Sequence, residues 1–529
     1  MIEENFIDKD SLVRKLENES VELLEWPLLK KQLSSFASTP MGEKSIINFE
    51  IPLKLEDTQY LLDQTKEIYK LENEYDQNIN FEGVFEIKRN TETCFKGGLI
   101  SSIELLEIAD TISAARKLKK TILNFELRPL LSSLLEKLVD HIELEKILKN
   151  GIENNGRISD RACPTLSELR KKLISIKQER RLILDKLIYK NSPYIQDAII
   201  SERVGRPVLA VKVNFINKFK GIIHDSSSSG NTIFIEPDAV VTKGNQIASI
   251  KAKIANEEFK LLKYWANLIS GNKDTLLQLS DILLKIENAH IRARYSKWIK
   301  GRPPSFVSDL NIQITGFTHP LLLWENKNNF PNKIVPIDFY IKKNIKVVAI
   351  TGPNTGGKTA ALKGLGIALL MAKSGLFIPS NNEPIIPFYA NIYADIGDDQ
   401  SLQENLSTFS GHILRIKRIF DALSIKKGLS IVLLDEIGSG TDPEEGTALA
   451  ISLLEEFANK SDLTIATTHY GEIKALKYKD FRFENVSVSF NEESLKPNYT
   501  LNWGIPGRSN ALTIASKFGI SQKIIDEAF

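Results

Sequence analysis

A glycine-rich loop follows an apolar stretch at residues 345–351 and reads Gly352-Pro-Asn-Thr-Gly-Gly-Lys-Thr359. In this Gly-x-x-x-x-Gly-Lys-Thr spacing, the glycines let backbone N–H groups turn inward around the phosphates of a nucleoside triphosphate. The alternative is a turn that only links a strand to a helix. Because an apolar strand precedes the loop and an apolar helix follows it, we expect phosphate binding by Gly352, Pro353, Asn354, Thr355, Gly356, Gly357, Lys358 and Thr359. Lys358 would reach the β- and γ-phosphates, and the Thr359 hydroxyl would coordinate Mg²⁺.

Two acidic residues, Asp435 and Glu436, end a continuous apolar run at residues 429–434 that is typical of a buried parallel strand. Ligands of open α/β sheets bind beyond the carboxyl ends of the strands, so both carboxylates should face the phosphate loop. We expect Asp435 to hold Mg²⁺ and Glu436 to be the general base for an attacking water. His469 follows another apolar strand, at residues 463–467. A lone histidine is often structural, but this position favours a third catalytic role beside Lys358 and Glu436.

The nucleotide is predicted to be ATP rather than GTP. The tetrapeptide Asn459-Lys-Ser-Asp462 has the form by which many GTPases read guanine, but it precedes the strand that starts at residue 463. It would therefore lie at the amino edge of the sheet, opposite the phosphates, as a turn between a helix and a strand.

A segment of small and hydroxylated residues, Ser407-Thr-Phe-Ser-Gly-His412, lies between the phosphate loop and the acidic pair. It precedes an amphipathic helix, so it is typical of an ordinary helix cap and also of an anion-binding helix N-terminus. Beside the other motifs, it resembles the signature segment of ABC-type ATPases, which completes the site of a neighbouring subunit. That resemblance implies ATP contacts by Ser407, Ser410 and Gly411 and a homodimer formed through the ATPase domain.

Three segments, at residues 351–359, 406–412 and 434–443, closely resemble the ATPase domain of the MutS family. More narrowly, Thr355, Thr359 and the segment 221–237 resemble the type-two branch of that family. The resemblance covers nearly the whole chain. It implies a multidomain fold in which a helical core, long lever helices and a small antiparallel β clamp insert precede an ABC-type P-loop α/β ATPase domain.

The periodicity of the remaining sequence is compatible with this layout. It is helical at residues 167–190, strand-like around 204–240 and helical again from 241. Nearer the N-terminus, helices are predicted at 27–36, 55–69, 103–122 and 130–148. We expect a helical core at 1–160, an outgoing lever helix at 161–200, the β clamp insert at 201–240, a returning lever helix at 241–300 and the ATPase domain at 301–529.

Basic residues in and around the predicted β insert are candidate contacts to nucleic-acid phosphates: Arg203, Arg206, Lys212, Lys218 and Lys220. The net charge of the chain is +2, so overall charge indicates no nucleic-acid partner. A basic hairpin without a ligand is the alternative, and the family resemblance favours the nucleic-acid interpretation.

The composition is that of an ordinary soluble intracellular protein, with 42% hydrophobic residues and two cysteines in 529 residues. Cys94 and Cys163 lack metal-ligand spacing, and the acidic N-terminus has no signal-peptide pattern. No apolar stretch reaches the length of a bilayer span. We therefore expect a cytoplasmic protein without a membrane partner.

Two departures from the family affect the expected activity. Mismatch-repair members begin with a mismatch-reading domain, which the type-two branch lacks and which we expect this chain to lack as well. Type-two members normally continue into a C-terminal Smr domain associated with nucleic-acid cleavage, whereas this chain stops at Phe529. We therefore expect a truncated member or a fragment, with neither mismatch recognition nor strand cleavage.

The predicted function is that of a dimeric ATP-hydrolysing clamp. The family suggests two partners, namely branched or recombining DNA, whose recombination it would suppress, and collided ribosomes, which it would split. Both are open at this point. A solitary P-loop small-molecule kinase is the alternative from another class, which the long lever helices disfavour, and an ATP-gated scaffold with negligible turnover is a third.

Overall fold

The computed structural model describes residues 9–203, 205–328, 334–352, 357–397, 408–425, 427–491, 496–505, 521 and 524. The chain divides into two compact units. The first comprises residues 1–81, 118–137 and 282–529, and the second comprises residues 82–117 and 138–281. This division agrees with the predicted multidomain fold, whereas the bounds of the five predicted domains stay predictions.

The helices of the described residues are α1 (Lys9–Leu23), α2 (Trp26–Ser34), α3 (Pro40–Ile47), α4 (Leu55–Asn73), α5 (Lys88–Phe95), α6 (Ser102–Ile122), α7 (Pro129–Glu136), α8 (Ile142–Gly151), α9 (Pro164–Lys190), α10 (Asp238–Gly271), α11 (Lys273–Trp298), α12 (Pro320–Asn328), α13 (Lys358–Lys373), α14 (Thr408–Ile425), α15 (Pro443–Lys460) and α16 (Leu476–Lys479). The single helix predicted at 130–148 is wrong, because α7 and α8 are separate. His141 lies between them in a left-handed conformation, with φ 43°, which an α-helix cannot continue.

The strands are β1 (Ile195–Arg203), β2 (Arg206–Lys212), β3 (Gly221–Ser226), β4 (Thr232–Pro237), β5 (Ser305–Val307), β6 (Ile312–Phe317), β7 (Ile337–Ile341), β8 (Val347–Thr351), β9 (Ile385–Pro387), β10 (Asn391–Asp395), β11 (Ser430–Leu434), β12 (Leu463–Thr468), β13 (Phe483–Asn491) and β14 (Lys496–Trp503). They form three sheets, in the orders β1-β2-β4-β3, β10-β11-β12-β8-β13-β14 and β5-β9-β6-β7.

The six-stranded sheet positions the predicted nucleotide site in the first unit. Strands β10, β11, β12, β8 and β13 are parallel, and β14 is antiparallel to β13. Every residue of β8, β11 and β12 is buried, as expected for continuous apolar runs covered on both faces. Since β12 lies between β8 and β11, the loops that follow these three strands meet at one edge of the sheet.

The helix that follows the phosphate loop, α13, is buried around nearly its whole circumference. Leu365 and Ala368 belong to the same apolar core as Val348 of β8 and Leu433 of β11. Helix α14 packs with α15 in a second apolar core, where the rings of Phe420 and Phe457 stack at 4.3 Å. The two cores hold the helices that flank the site against a rigid sheet.

The second unit contains a small antiparallel sheet between two long helices. Lys243 of α10 pairs with Glu179 of α9 at 2.6 Å, and Glu258 pairs with Arg170 at 2.7 Å, so the two helices run antiparallel. The helix predicted at 161–200 ends at Lys190, and β1 begins within that range, at Ile195. Pro193, which has no backbone N–H to continue a helix, lies between them.

Candidate functional site

The phosphate loop joins β8 to α13. Gly352 and Gly357 flank the loop at φ 140° and 86°, values that side-chain-bearing residues rarely adopt. Pro353, Asn354, Thr355 and Gly356 lie outside the described residues. Both ends of the predicted phosphate-binding loop therefore have backbone conformations that favour glycine.

Lys358 is 2% exposed, and its Nζ donates a 2.8 Å hydrogen bond to the Gly352 carbonyl oxygen. Burial lowers the pKa of its ammonium group, and the negative charges of Glu436 and Asp435 oppose the shift. A buried cation at the start of a helix, beside two carboxylates, is suited to bind phosphate oxygens.

Thr359 and Asp435 come from different elements and meet at the sheet edge. The Thr359 hydroxyl donates to Oδ2 of Asp435 at 2.8 Å, and the Asp435 N–H donates to the Asp395 carbonyl at the end of β10 at 2.8 Å. Asp435 is 8% exposed. The two predicted metal ligands are thus adjacent.

This pair suits Mg²⁺, which is usually held by one or two carboxylates together with substrate phosphates and waters. The described residues contain no group of three or more His, Cys, Asp or Glu side chains able to hold a metal ion by themselves. Thr359 and Asp435 would therefore hold Mg²⁺ together with the nucleotide phosphates. The described residues do not fit a metal site made of protein ligands alone.

Glu436 follows Asp435 in a left-handed conformation, with φ 50°. Its N–H donates to Oγ1 of Thr467 at 2.8 Å. The same Oγ1 donates to Oδ1 of Asp435 at 2.5 Å. Sequence reasoning missed Thr467, because the apolar pattern indicates it only as part of the strand that precedes His469.

His469 follows β12 at the predicted edge of the sheet and is exposed. Its ring lies 4.3 Å from that of Tyr470. Within the described ranges, no hydrogen bond joins His469 to Asp435 or Glu436. Its contact to the γ-phosphate stays a prediction.

The signature segment enters α14, whose first described residues include Ser410 and Gly411, whereas Ser407 lies outside the described residues. His412 and Arg415 of this helix both contact the Asp395 carboxylate: Nδ1 of His412 lies 2.9 Å from Oδ2, and the Arg415 guanidinium donates to Oδ1 at 2.9 Å. Asp395 is 2% exposed. Its side chain contacts the signature helix, and its backbone carbonyl accepts the N–H of Asp435, so Asp395 connects the two. Sequence reasoning missed this residue.

The predicted nucleic-acid residues lie on or beside the antiparallel sheet, and the two arginines among them have partners within it. Arg203 pairs with Asp225 at 3.2 Å and lies over the Phe234 ring. Arg206 pairs with the buried Glu236 and donates to Asn245 of α10 at 2.7 Å. These contacts give both arginines a structural role.

The lysines on or beside the sheet make fewer side-chain contacts than the two arginines. Lys212 donates to the Pro193 carbonyl at 3.1 Å, and the exposed Lys218 contacts the Tyr194 hydroxyl at 2.9 Å. Lys220 is exposed just before β3, and the serine-rich turn at residues 227–231 is largely exposed. The exposed part of the predicted nucleic-acid set is therefore Lys218 and Lys220.

None of the helices in the described ranges has the length and apolar character needed to cross a lipid bilayer.

Comparison with known proteins places these motifs in a family. Residues 348–529 match the family model described as MutS domain V. The protein named Endonuclease MutS2 of Synechocystis sp. is 41% identical over 537 residues, covering 98% of this chain and 65% of the relative. Proteins of the same name from Symbiobacterium thermophilum and Halalkalibacterium halodurans are 34% and 36% identical, covering 97% and 96% of this chain. The chain spans 63% and 64% of the length of these two relatives.

Proposed function

The chain belongs to the MutS family, in its type-two branch, and we propose that it is a dimeric, ATP-hydrolysing clamp protein that binds branched or recombining DNA and suppresses recombination. The observation that carries the ATPase proposal is the 2.8 Å contact between Thr359 at the phosphate-loop helix and Asp435 at the end of β11. It brings together a hydroxyl, a carboxylate and, through Lys358, a buried cation at one edge of a parallel sheet.

Each side chain has a role that its position supports. Lys358 binds the β- and γ-phosphates, and Glu436 accepts the proton of the attacking water. Thr359 and Asp435 hold Mg²⁺, which neutralises charge on the phosphates when it is bound. His469 contacts the γ-phosphate from the end of β12.

The proposed dimer completes the site from the partner's signature segment, with Ser407, Ser410 and Gly411 at the nucleotide. Support comes from the position of α14: its His412 and Arg415 contact Asp395, whose carbonyl accepts the Asp435 N–H. A helix joined in this way to the metal-binding strand is suited to link partner binding with hydrolysis.

The proposed nucleic-acid contact uses the exposed Lys218 and Lys220 and the serine-rich turn. Relatives that share 34 to 41% identity with this chain carry the name Endonuclease MutS2, and the word endonuclease favours a nucleic acid as partner. We propose DNA as that nucleic acid. Ribosomal RNA offers the same phosphate chemistry, so a ribosome is the competing outcome of the test.

The test measures ADP and inorganic phosphate formed from ATP and Mg²⁺ with no acceptor present, across a range of protein concentrations. Hydrolysis by a dimer predicts equal amounts of both products and a specific activity that rises until dimers saturate. Binding is then measured with a four-way DNA junction, a linear duplex and purified ribosomes at several salt concentrations. Tighter binding to the junction than to the linear duplex or the ribosomes supports the DNA proposal. ATP hydrolysis that is stimulated by ribosomes and not by either DNA overturns it. If no phosphate is released, ADP formation that appears only with an added metabolite would indicate a kinase, and no ADP formation under either condition would indicate the ATP-gated scaffold.

A further inference from the structure

Thr467, the penultimate residue of β12, contacts three consecutive residues at the end of the neighbouring strand. Its hydroxyl contacts Asp435 and Glu436, and its carbonyl oxygen accepts the N–H of Ile437 at 3.2 Å. Thr467 itself is completely buried. One residue of β12 therefore holds the two proposed hydrolytic acids and the residue that follows them.

The direction of each hydrogen bond follows from elementary chemistry. The Glu436 amide can only donate, so Oγ1 of Thr467 accepts at 2.8 Å. An ionised Asp435 carboxylate can only accept, so the single hydroxyl proton of Thr467 points to its Oδ1. The other oxygen, Oδ2, accepts from Thr359. Two threonines, Thr359 in α13 and Thr467 in β12, thus each contact one oxygen of the Asp435 carboxylate.

The backbone conformation of Glu436 gives its hydrogen bond to Thr467 a role in orienting the Glu436 side chain. Its φ of 50° lies in the left-handed region, which residues other than glycine adopt rarely and which persists only where the surroundings enforce it. The hydrogen bond from its N–H to Thr467 is such a constraint. The direction of the Glu436 side chain depends on this backbone conformation.

We propose that Thr467 is a positioning residue for ATP hydrolysis, whose hydroxyl fixes Asp435 and Glu436 relative to each other. This inference rests on the proposed ATPase function. Thr467 acts through the two acids and does not itself touch the nucleotide.

The test compares Thr467→Val, which removes the hydroxyl at nearly constant volume, with Thr467→Ser, which keeps it. The valine variant is expected to lower kcat by about 10-fold to 100-fold with the ATP dissociation constant unchanged, because small displacements of catalytic groups are costly. The serine variant is expected to stay within about 3-fold of wild type. Thr464→Val is the matched control, since its buried hydroxyl contacts Ser461 at 2.7 Å at the other end of the same strand.

Amide hydrogen exchange at Glu436 gives a readout that needs no ATP turnover. Faster exchange in Thr467→Val, with wild-type exchange in Thr467→Ser, supports the positioning of Glu436 by the Thr467 hydroxyl. If the variants show this exchange pattern but the wild-type protein does not hydrolyse ATP, the proposed ATPase function fails while the structural contact stands. If the valine variant does not fold, Thr467→Ala replaces it in both measurements. Wild-type kcat and exchange in the variant lacking the hydroxyl, or equal impairment of the serine variant, would overturn the proposal.

Discussion

The Thr359 hydroxyl donates a 2.8 Å hydrogen bond to Oδ2 of Asp435, although the two residues are far apart in the chain. The contact pairs the proposed neutral ligand of Mg²⁺ with the proposed charged one. Replacing Thr359 therefore tests the metal site without removing a charge.

Thr359→Val should lower kcat by at least about 10-fold, since a loss of about 1.4 kcal/mol of transition-state stabilisation has that effect on a rate. It should also raise the Mg²⁺ concentration needed for half-maximal turnover. Thr359→Ser keeps the hydroxyl and should preserve both values. A valine variant with the wild-type Mg²⁺ titration would remove Thr359 from the metal site.

The Asp395 carboxylate predicts a stability effect. Both His412 and Arg415 contact it, and the Arg415 side chain is 11% exposed. Asp395→Ala should lower the free energy of unfolding by about 3 kcal/mol, because it removes the carboxylate from a buried charge pair. Urea denaturation measures the loss, and Asp395→Asn, which keeps an acceptor oxygen, should lose less. If Asp395→Ala had the stability of the wild type, the contacts of Asp395 with His412 and Arg415 would not stabilise the packing of α14.

His319 predicts a pH dependence of stability. Burial lowers the pKa of its imidazole to about 4 from the ordinary value of 6.5. Between these two values the unfolded state binds more protons than the folded state, so stability falls as the pH drops from 6.5 to 4. His319→Gln should flatten this part of the curve in urea denaturation series, and exposed His469→Gln serves as the control. Parallel curves for wild type and His319→Gln would contradict the prediction.

The exposed lysines beside β3 predict a salt effect on binding. Replacing Lys218 and Lys220 with alanine should weaken binding to a DNA junction and reduce the slope of log affinity against log salt by up to about two, one for each phosphate that a lysine no longer neutralises. Lys96→Ala with Lys146→Ala, both exposed in the same unit, is the charge-matched control. Equal slopes for the two double variants would locate the nucleic-acid contact elsewhere. Arg206 is a poor choice for this test, because its loss would leave the buried Glu236 without its arginine partner.

The buried strands of the nucleotide site could be predicted from sequence, because residues 347–351 and 430–434 are continuous apolar runs that end in recognisable motifs. The break at His141 could not, since a left-handed residue other than glycine has no clear sequence signal. Nor could the contacts of Thr467. Threonine is an ordinary strand residue, and its contacts depend on β12 lying between β8 and β11, a fact of tertiary structure. The start of strand β1 is missed when the preceding helical pattern is extended past Pro193.

Lys358 and Glu436 have separate roles in the proposed mechanism, and this separation tests the central claim most directly. Lys358 is buried beside the phosphate loop, whereas Glu436 is held beyond the end of β11 by Thr467. Loss of the first should weaken ATP binding, and loss of the second should affect hydrolysis alone.

The decisive measurement is ATP affinity and single-turnover hydrolysis in Lys358→Ala and Glu436→Gln, with Lys342→Ala, an exposed lysine before β8, as control. We predict that Lys358→Ala binds ATP at least about 10-fold more weakly. Glu436→Gln should bind ATP as tightly as wild type and hydrolyse it at least about 100-fold more slowly, the contribution expected of a general base. Equal loss of ATP affinity in both variants, or undiminished hydrolysis by Glu436→Gln, would contradict the assignment of this site as an ATPase centre.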